Sequence, residues 1–306
     1  MTGRRAATGI GQSERSGPAP LALLGVMVGA AMFGTVPLFS IALLNSGLEP
    51  EAVAFWRFAT IAVLLAPTLI GMREGLRPLL WAVGGGAAMG LGWIGYVAAL
   101  QHMPVAEASL LYMTYPFFAI AIATLIFQER TRIAHLVAAG LVLIAAATAW
   151  PATGAGGVPL SAVGLALLAP AAYGLILNIV SHRLKDLAPL RAVAAIGLGS
   201  ALAIFPLLLC QPVEAVIPQQ PSALAWMLGF SLVTALLPQT LYVLCAPHVG
   251  PARTAIAGSF ELPSMFTIAV LAFGETITPA QIVSAALIVA AITIGAVNHP
   301  GKPAPR

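Results

Sequence analysis

The chain has 306 residues, 59% of them hydrophobic and only 8% charged, with a mean hydropathy of +0.96. A soluble domain holds about 45–50% apolar and about 25% charged residues, so this composition excludes one and indicates an integral membrane protein. The formal net charge of +4 does not indicate nucleic acid, because the basic residues stand singly or in pairs with no basic stripe interleaved with aromatics.

Residues 1–19 are polar, contain Gly, Pro and Ser, and carry Arg4, Arg5 and Arg15. They read as a disordered cytoplasmic tail, with a second tail at 299–306. Between them lie ten apolar segments, each long enough to cross a hydrocarbon core of about 30 Å. Their approximate bounds are 21–44, 51–71, 78–100, 104–127, 132–150, 160–181, 190–211, 222–246, 252–273 and 279–297. Breakers such as Asn45-Ser-Gly, Met103-Pro and Gln211-Pro separate them. With the N-terminus inside, Arg73, Arg77, Arg130, Arg132, Arg183, Lys185, Arg191, Arg253, Lys302 and Arg306 all fall at cytoplasmic ends, while the outer loops hold no Lys or Arg. The positive-inside rule therefore places both termini in the cytoplasm.

The stretch from Tyr96 to Glu129 comes round again from Tyr242 to Glu275. Tyr96, Val97, His102, Ala106, Phe127 and Glu129 match Tyr242, Val243, His248, Ala252, Phe273 and Glu275 at one constant offset. Ala52-Val53-Ala54 likewise echoes in Ala192-Val193-Ala194, and Phe33-Gly34 in Tyr173-Gly174. The chain is a duplication, divided into a first repeat at 20–150 and a second at 159–298. An odd number of spans per copy turns the second copy upside down. That is the plan of secondary transporters, with a substrate site near mid-membrane between the halves. The expected fold is all-α and integral to the membrane: ten helices as two inverted five-helix repeats around a central cavity.

The motifs FGTVP (33–37), AFWRF (54–58), YVAALQHMPVAEASLLYMTYP (96–116), FQERT (127–131), SFELP (259–263) and FGETIT (273–278) resemble, in order and repetition, the drug/metabolite transporter superfamily, specifically its ten-helix EamA type. The resemblance implies a basket of helices whose cavity is lined by helices 1, 3, 4, 6, 8 and 9, with helices 5 and 10 peripheral. It also implies transport of small metabolites, often export of amino acids or related compounds, without ATP.

Ionisable groups inside a membrane are costly and usually face a cavity or a partner. Glu261 lies about ten residues into helix 9, roughly 15 Å deep, where a carboxyl suits proton coupling or substrate binding; a structural hydrogen bond is the alternative. Arg57, between Trp56 and Phe58, offers a fork for a carboxylate substrate, or an architectural pair. Arg57 faces Gly197 in the second copy, so the halves are not chemically equivalent. Glu107 in the first turn of helix 4 reads as substrate contact or as a carboxylate at the positive helix end. Arg253 reads as a positive-inside anchor. Trp93, Tyr96, Tyr112, Tyr115, Tyr173 and Tyr242 are candidates for stacking and cation–π contact with substrate. Pro116 and Pro263, in nearly corresponding places, are candidate hinges. Glu129 and Glu275 suggest a shared structural job such as capping the next helix through Thr131 or Thr278. His102 and His248 read as turn residues or as pH sensors.

Gly25, Gly29, Gly86 and Gly90 form G-x-x-x-G faces for close helix packing. Cys210 and Cys245 lack metal-type spacing, so no disulfide, metal or cofactor is expected. An intramembrane hydrolase or lipid-modifying transferase would need a nucleophile with a base, or a metal cluster; no nucleophile elbow, HExxH or Walker loop is present, and no enzyme is expected. The expected function is export of a small metabolite, an amino acid or related compound, across the inner membrane by proton antiport or facilitated exchange. Uptake of a vitamin, nucleoside-like or cofactor-like compound is the alternative. The expected partners are a small-molecule substrate, the lipid bilayer and protons, not nucleic acid, with homo-oligomerisation open.

Overall fold

The computed structural model describes residues 19–70, 75–129, 133–154, 158–249 and 251–297, and every regular element among them is helical. Eight helical stretches are long and apolar enough to cross a membrane: α1 (Pro20–Asn45), α2 (Pro50–Leu69), α3 (Leu76–Ala99), α4 (Val105–Leu125), α6 (Leu160–Arg183), α7 (Pro189–Leu208), α8 (Pro221–Ala246) and α9 (Ile256–Phe273). The shorter apolar stretches Ile133–Thr148 and Pro279–Ile294 belong to α5 (Ile133–Gly154) and α10 (Pro279–Val297). Ten apolar helices thus stand where ten spans are expected, eight of full length and two marginal. At 1.5 Å per residue the 19 residues of α10 reach about 28 Å. Arg73, Arg130, Thr131, Arg132 and both tails lie outside the described residues.

Pro50, Pro189 and Pro221 open α2, α7 and α8, positions where the missing N–H costs nothing and the fixed φ favours the first turn. The α10 start is closed by a reciprocal cap: the Thr278 N–H donates to Gln281 Oε1 (2.8 Å) and the Gln281 N–H to Thr278 Oγ1 (3.3 Å). Thr278 therefore caps its helix with Gln281, not with Glu275.

Packing exchanges between the halves. α1 lies against α8 and α9, as α6 lies against α3 and α4, while α2 pairs with α7 and α5 with α10. The main buried cluster gathers at the end bearing the 45–49 and 100–104 loops, with Leu43, Leu48, Val53, Tyr96, Leu100 and Met103 among its members. Arg77, Arg183, Lys185 and Arg191 sit at the other, basic end.

Glycine brings α3 and α7 into backbone contact. A Cβ on Gly86 would lie 2.1 Å from the Ile196 carbonyl oxygen, and one on Gly199 would lie 2.1 Å from that of Val83. Across the same seam Ser200 Oγ donates to the Gly86 oxygen at 2.7 Å. Backbone cannot move aside as a flexible side chain does, so the helices must separate. Gly86→Ala is predicted to cost about 1–3 kcal/mol, read as a lower Tm of the purified protein. Gly84, two residues away, has open space around its Cβ position, and Gly84→Ala should leave Tm unchanged or raise it. Equal effects of the two would disprove the contact.

Candidate functional site

Four spans are interrupted where the halves meet. α1 breaks at Thr35, between Ala19–Gly34 and Val36–Asn45. α4 breaks at Met113 and Thr114, just before Tyr115-Pro116. α9 breaks at Ser259 and Phe260, just before the segment that begins Glu261-Leu262-Pro263. α8 carries a π-turn over Leu232–Leu236. The α4 and α9 breaks lie at equivalent repeat positions, and Pro116 and Pro263, lacking an N–H, cannot bond back to the carbonyls of Tyr112 and Ser259 across the breaks. Pro116 and Pro263 thus adjoin real interruptions of their helices. Broken helices at this depth are tolerated where they line a cavity or are buried in protein.

They surround a cavity of about 230 Å³. Of the candidate residues, Arg57, Trp93, Tyr112, Tyr173 and Glu261 line it together. The cavity then follows Leu177, Val180, Val193 and Gln239 toward the basic end. It is absent from the opposite end, where the buried cluster fills the space.

Arg57 is 5% exposed. Its Nη2 donates to the Thr234 carbonyl oxygen at 3.0 Å, a carbonyl inside the π-turn of α8. Its guanidinium carbon lies 3.9 Å from the Trp93 ring centroid and 5.3 Å from that of Phe230, a stack suited to a planar, weakly hydrated cation. Nε and Nη1 are buried and have no hydrogen-bond partner in the protein. A buried charged donor left unmatched is costly, so Arg57 keeps unsatisfied hydrogen-bonding capacity beside the cavity. Arg57 holds α2 to α8 and also faces the cavity, combining the two readings that the sequence left open.

Glu261 begins the second segment of α9. Although it lines the same cavity as Arg57, the two form no ion pair within 4 Å; among the described residues that distance is met by His182 and Glu129. A cation and a carboxyl therefore flank a small, mostly apolar space without pairing directly.

The aromatic rings form a connected group. Tyr112 lies 5.7 Å from Trp93 and from Tyr96, and 6.1 Å from Tyr115 and from Tyr173, while Tyr115 and Tyr173 are 5.0 Å apart, edge to face. Of the candidate rings, Trp93, Tyr112 and Tyr173 reach the cavity wall. Tyr96 is fully buried behind them, Tyr115 buttresses Tyr173, and Tyr242 packs on Phe33 at 5.8 Å.

The remaining candidates lie elsewhere. Glu107 is buried at the closed end, with Oε2 unpartnered. Two residues earlier, Glu275 takes the Val105 N–H on Oε1 (2.6 Å) and the Ala106 N–H on Oε2 (2.9 Å), capping α4 of the other repeat instead of the helix that follows it. Glu129 pairs with His182 Nε2 at 2.8 Å. Arg253 is exposed beside an apolar groove with Leu23, Met27 and Phe260. His102 is an exposed turn residue, and His248 sits in the last turn of its helix, Nδ1 3.0 Å from the Leu244 oxygen; neither lines the cavity.

One expectation is corrected. Helices 2 and 7 also wall the cavity, through Arg57, Phe58 and Ile61 on α2 and Val193, Ile196 and Gly197 on α7. The cause is legible in the repeat: Gly197 stands opposite Arg57, its Cβ position 3.3 Å from the Phe58 carbonyl oxygen, so α7 fits closely beside α2. Gln239 also lines the cavity and is not among the candidates read from the sequence, although an amide next to Pro238 inside an apolar span is a usable signal.

The EamA-like transporter family model matches residues 20–150 and 160–295. An uncharacterized transporter of Archaeoglobus fulgidus is 26% identical over 288 residues, covering 88% of this chain and 94% of its own. A riboflavin transporter of Brucella anthropi is 32% identical over 97 residues, 30% of this chain and 34% of its own. A solved crystal structure of a protein superposes with a TM-score of 0.60 at 18% identity, over 93% of this chain and 100% of its own, a likeness of fold.

Proposed function

Because the chain belongs to the EamA-like transporter family, whose model matches both of its halves, we propose that this multi-pass membrane protein is a secondary carrier working by alternating access around the Arg57–Glu261 cavity. Its substrate is a small polar or amphipathic metabolite, with amino acids and their derivatives first, moved outward across the inner membrane by proton antiport or by facilitated exchange. Both termini are cytoplasmic, so the basic end to which the cavity leads faces the cytoplasm.

The observation that carries this reading is the cavity itself: about 230 Å³ between the two halves, flanked by one cation and one carboxyl that do not pair. A zwitterion satisfies both, its carboxylate on the guanidinium of Arg57 and its ammonium on Glu261. The rings of Trp93, Tyr112 and Tyr173 favour a planar side chain beside it. Binding at a broken-helix site between inverted halves is also how a carrier presents one site to two sides in turn.

A second reading rests on the partial similarity to a riboflavin transporter: uptake of a planar, cofactor-like compound on the same rings. The test is substrate-dependent proton flux in proteoliposomes of the purified protein, across amino acids, aromatic cations, nucleosides and vitamins. Flux with amino acids alone supports the first reading and flux with flavins the second. Silence throughout, with counterflow also absent, defeats both.

A further inference from the structure

The two repeats share their sequence pattern but stand in opposite states, and the contrast can be read position by position. Val180 lines the cavity at the basic end and is 41% exposed, whereas its repeat counterpart Ser40 is 0% exposed at the other end. Val193 lines the cavity, whereas its counterpart Val53 is 0% exposed. Identical positions are thus open in one half and shut in the other.

The repeated carboxylates differ in the same way. At the shut end Glu275 bridges the halves, both its oxygens bound to the Val105 and Ala106 amides that begin α4. First-turn amides have no partner within their own helix and attract negative charge, so this contact clamps the end of α9 onto the start of α4. At the open end the counterpart Glu129 pairs with His182 of α6, whose ring stacks on Phe127 at 4.6 Å.

We propose that Glu275 and Glu129 are alternating latches of the two ends: Glu275 holds one end shut by capping α4, and in the opposite conformation it lets go while Glu129 leaves His182 and caps the start of α9. This rests on the alternating-access reading of the preceding subsection. The counterparts of Val105 and Ala106 are Pro251 and Ala252. Since proline has no N–H, Glu129 turns to the amides of Ala252 and Arg253. The latches also differ in charge, because Glu107 adjoins the capped amides in the first repeat and Arg253 takes its place in the second. Like charge beside Glu275 eases its release, and the cation strengthens the hold on Glu129. One repeat is built to open and the other to catch.

The experiment measures thiol accessibility at both ends in nanodiscs, on a background with Cys210→Ser and Cys245→Ser. Ser40→Cys reports the shut end and Val180→Cys the open end. Adding Glu275→Gln is expected to raise the labelling rate of Ser40→Cys about tenfold and to lower that of Val180→Cys, since opening one end closes the other. Glu129→Gln is expected to lower the labelling of Ser40→Cys, because the opposite conformation loses its latch. Unchanged rates at both ends in folded Glu275→Gln protein, or a rise at both ends together, would overturn the proposal, the second indicating general loosening. Should Glu275→Gln not fold, Glu129→Gln decides alone, and unchanged Ser40→Cys labelling refutes the latch. Counterflow of a labelled amino acid, recorded in parallel, separates these outcomes from failure of the carrier reading, since a latch defect leaves a working site.

Discussion

Replacing Glu261 by Gln is expected to reduce substrate-driven proton flux in proteoliposomes to the level of protein-free liposomes, while the variant inserts, folds and still exchanges labelled substrate across the membrane. Gln keeps the size and hydrogen-bonding reach of the side chain but cannot bind and release a proton, so the substitution separates coupling from binding. The position supports that separation. Glu261 starts a half-helix after the break at Ser259 and Phe260, lines the cavity and forms no ion pair with Arg57. Its surroundings give the carboxyl room to change protonation as the cavity changes sides, whereas a carboxyl locked to a neighbour would resist it. Proton flux unchanged in Glu261→Gln would remove the coupling role, and loss of exchange together with flux would leave Glu261 with its substrate contact alone.

The second large effect is expected at Arg57. Arg57→Lys keeps the charge but loses the planar stack on Trp93 and the guanidinium N–H donors that remain while Nη2 holds the Thr234 oxygen. One charge-assisted bond is worth about 1.5–3 kcal/mol, so transport of carboxylate-bearing substrates should fall about ten- to hundredfold. Transport of neutral analogues should fall much less. An equal fall for both classes, with a lowered Tm, would place the whole role of Arg57 in joining α2 to the π-turn of α8. The outcome matters because Gly197 occupies the equivalent place in the second repeat. A charge present in only one half must be approached from both sides of the membrane in the course of one cycle.

These two residues also show how far the sequence could be read. Both stand out because a charge inside an apolar segment is rare and costly, a signal that needs no structure. The sequence did not indicate that Arg57 reaches the cavity. Helix 2 is apolar around most of its circumference, and a helix that is apolar all round does not mark which face points inward. The same ambiguity spread the tyrosine candidates too widely: Tyr96, Tyr115 and Tyr242 lie on cavity helices but are rotated behind the wall or beside it. Glu129 and Glu275 were legible as a structural pair from their repetition. That Glu275 caps a helix 169 and 170 residues away in sequence was not, because a cap between repeats leaves no local pattern.

The sequence by itself determined the membrane class, the succession of apolar helices, the duplication and the place of Glu261 inside an apolar segment, for each follows from composition, span length and repeat offset along one chain. The tertiary structure alone decided which end is shut, that α2 and α7 join the cavity wall, that Arg57 and Glu261 share a space without pairing, and that the repeated carboxylates hold different partners. Those facts depend on how each helix is rotated about its axis and on which of two nearly equivalent packings the halves adopt, and inverted repeats with similar sequences admit both.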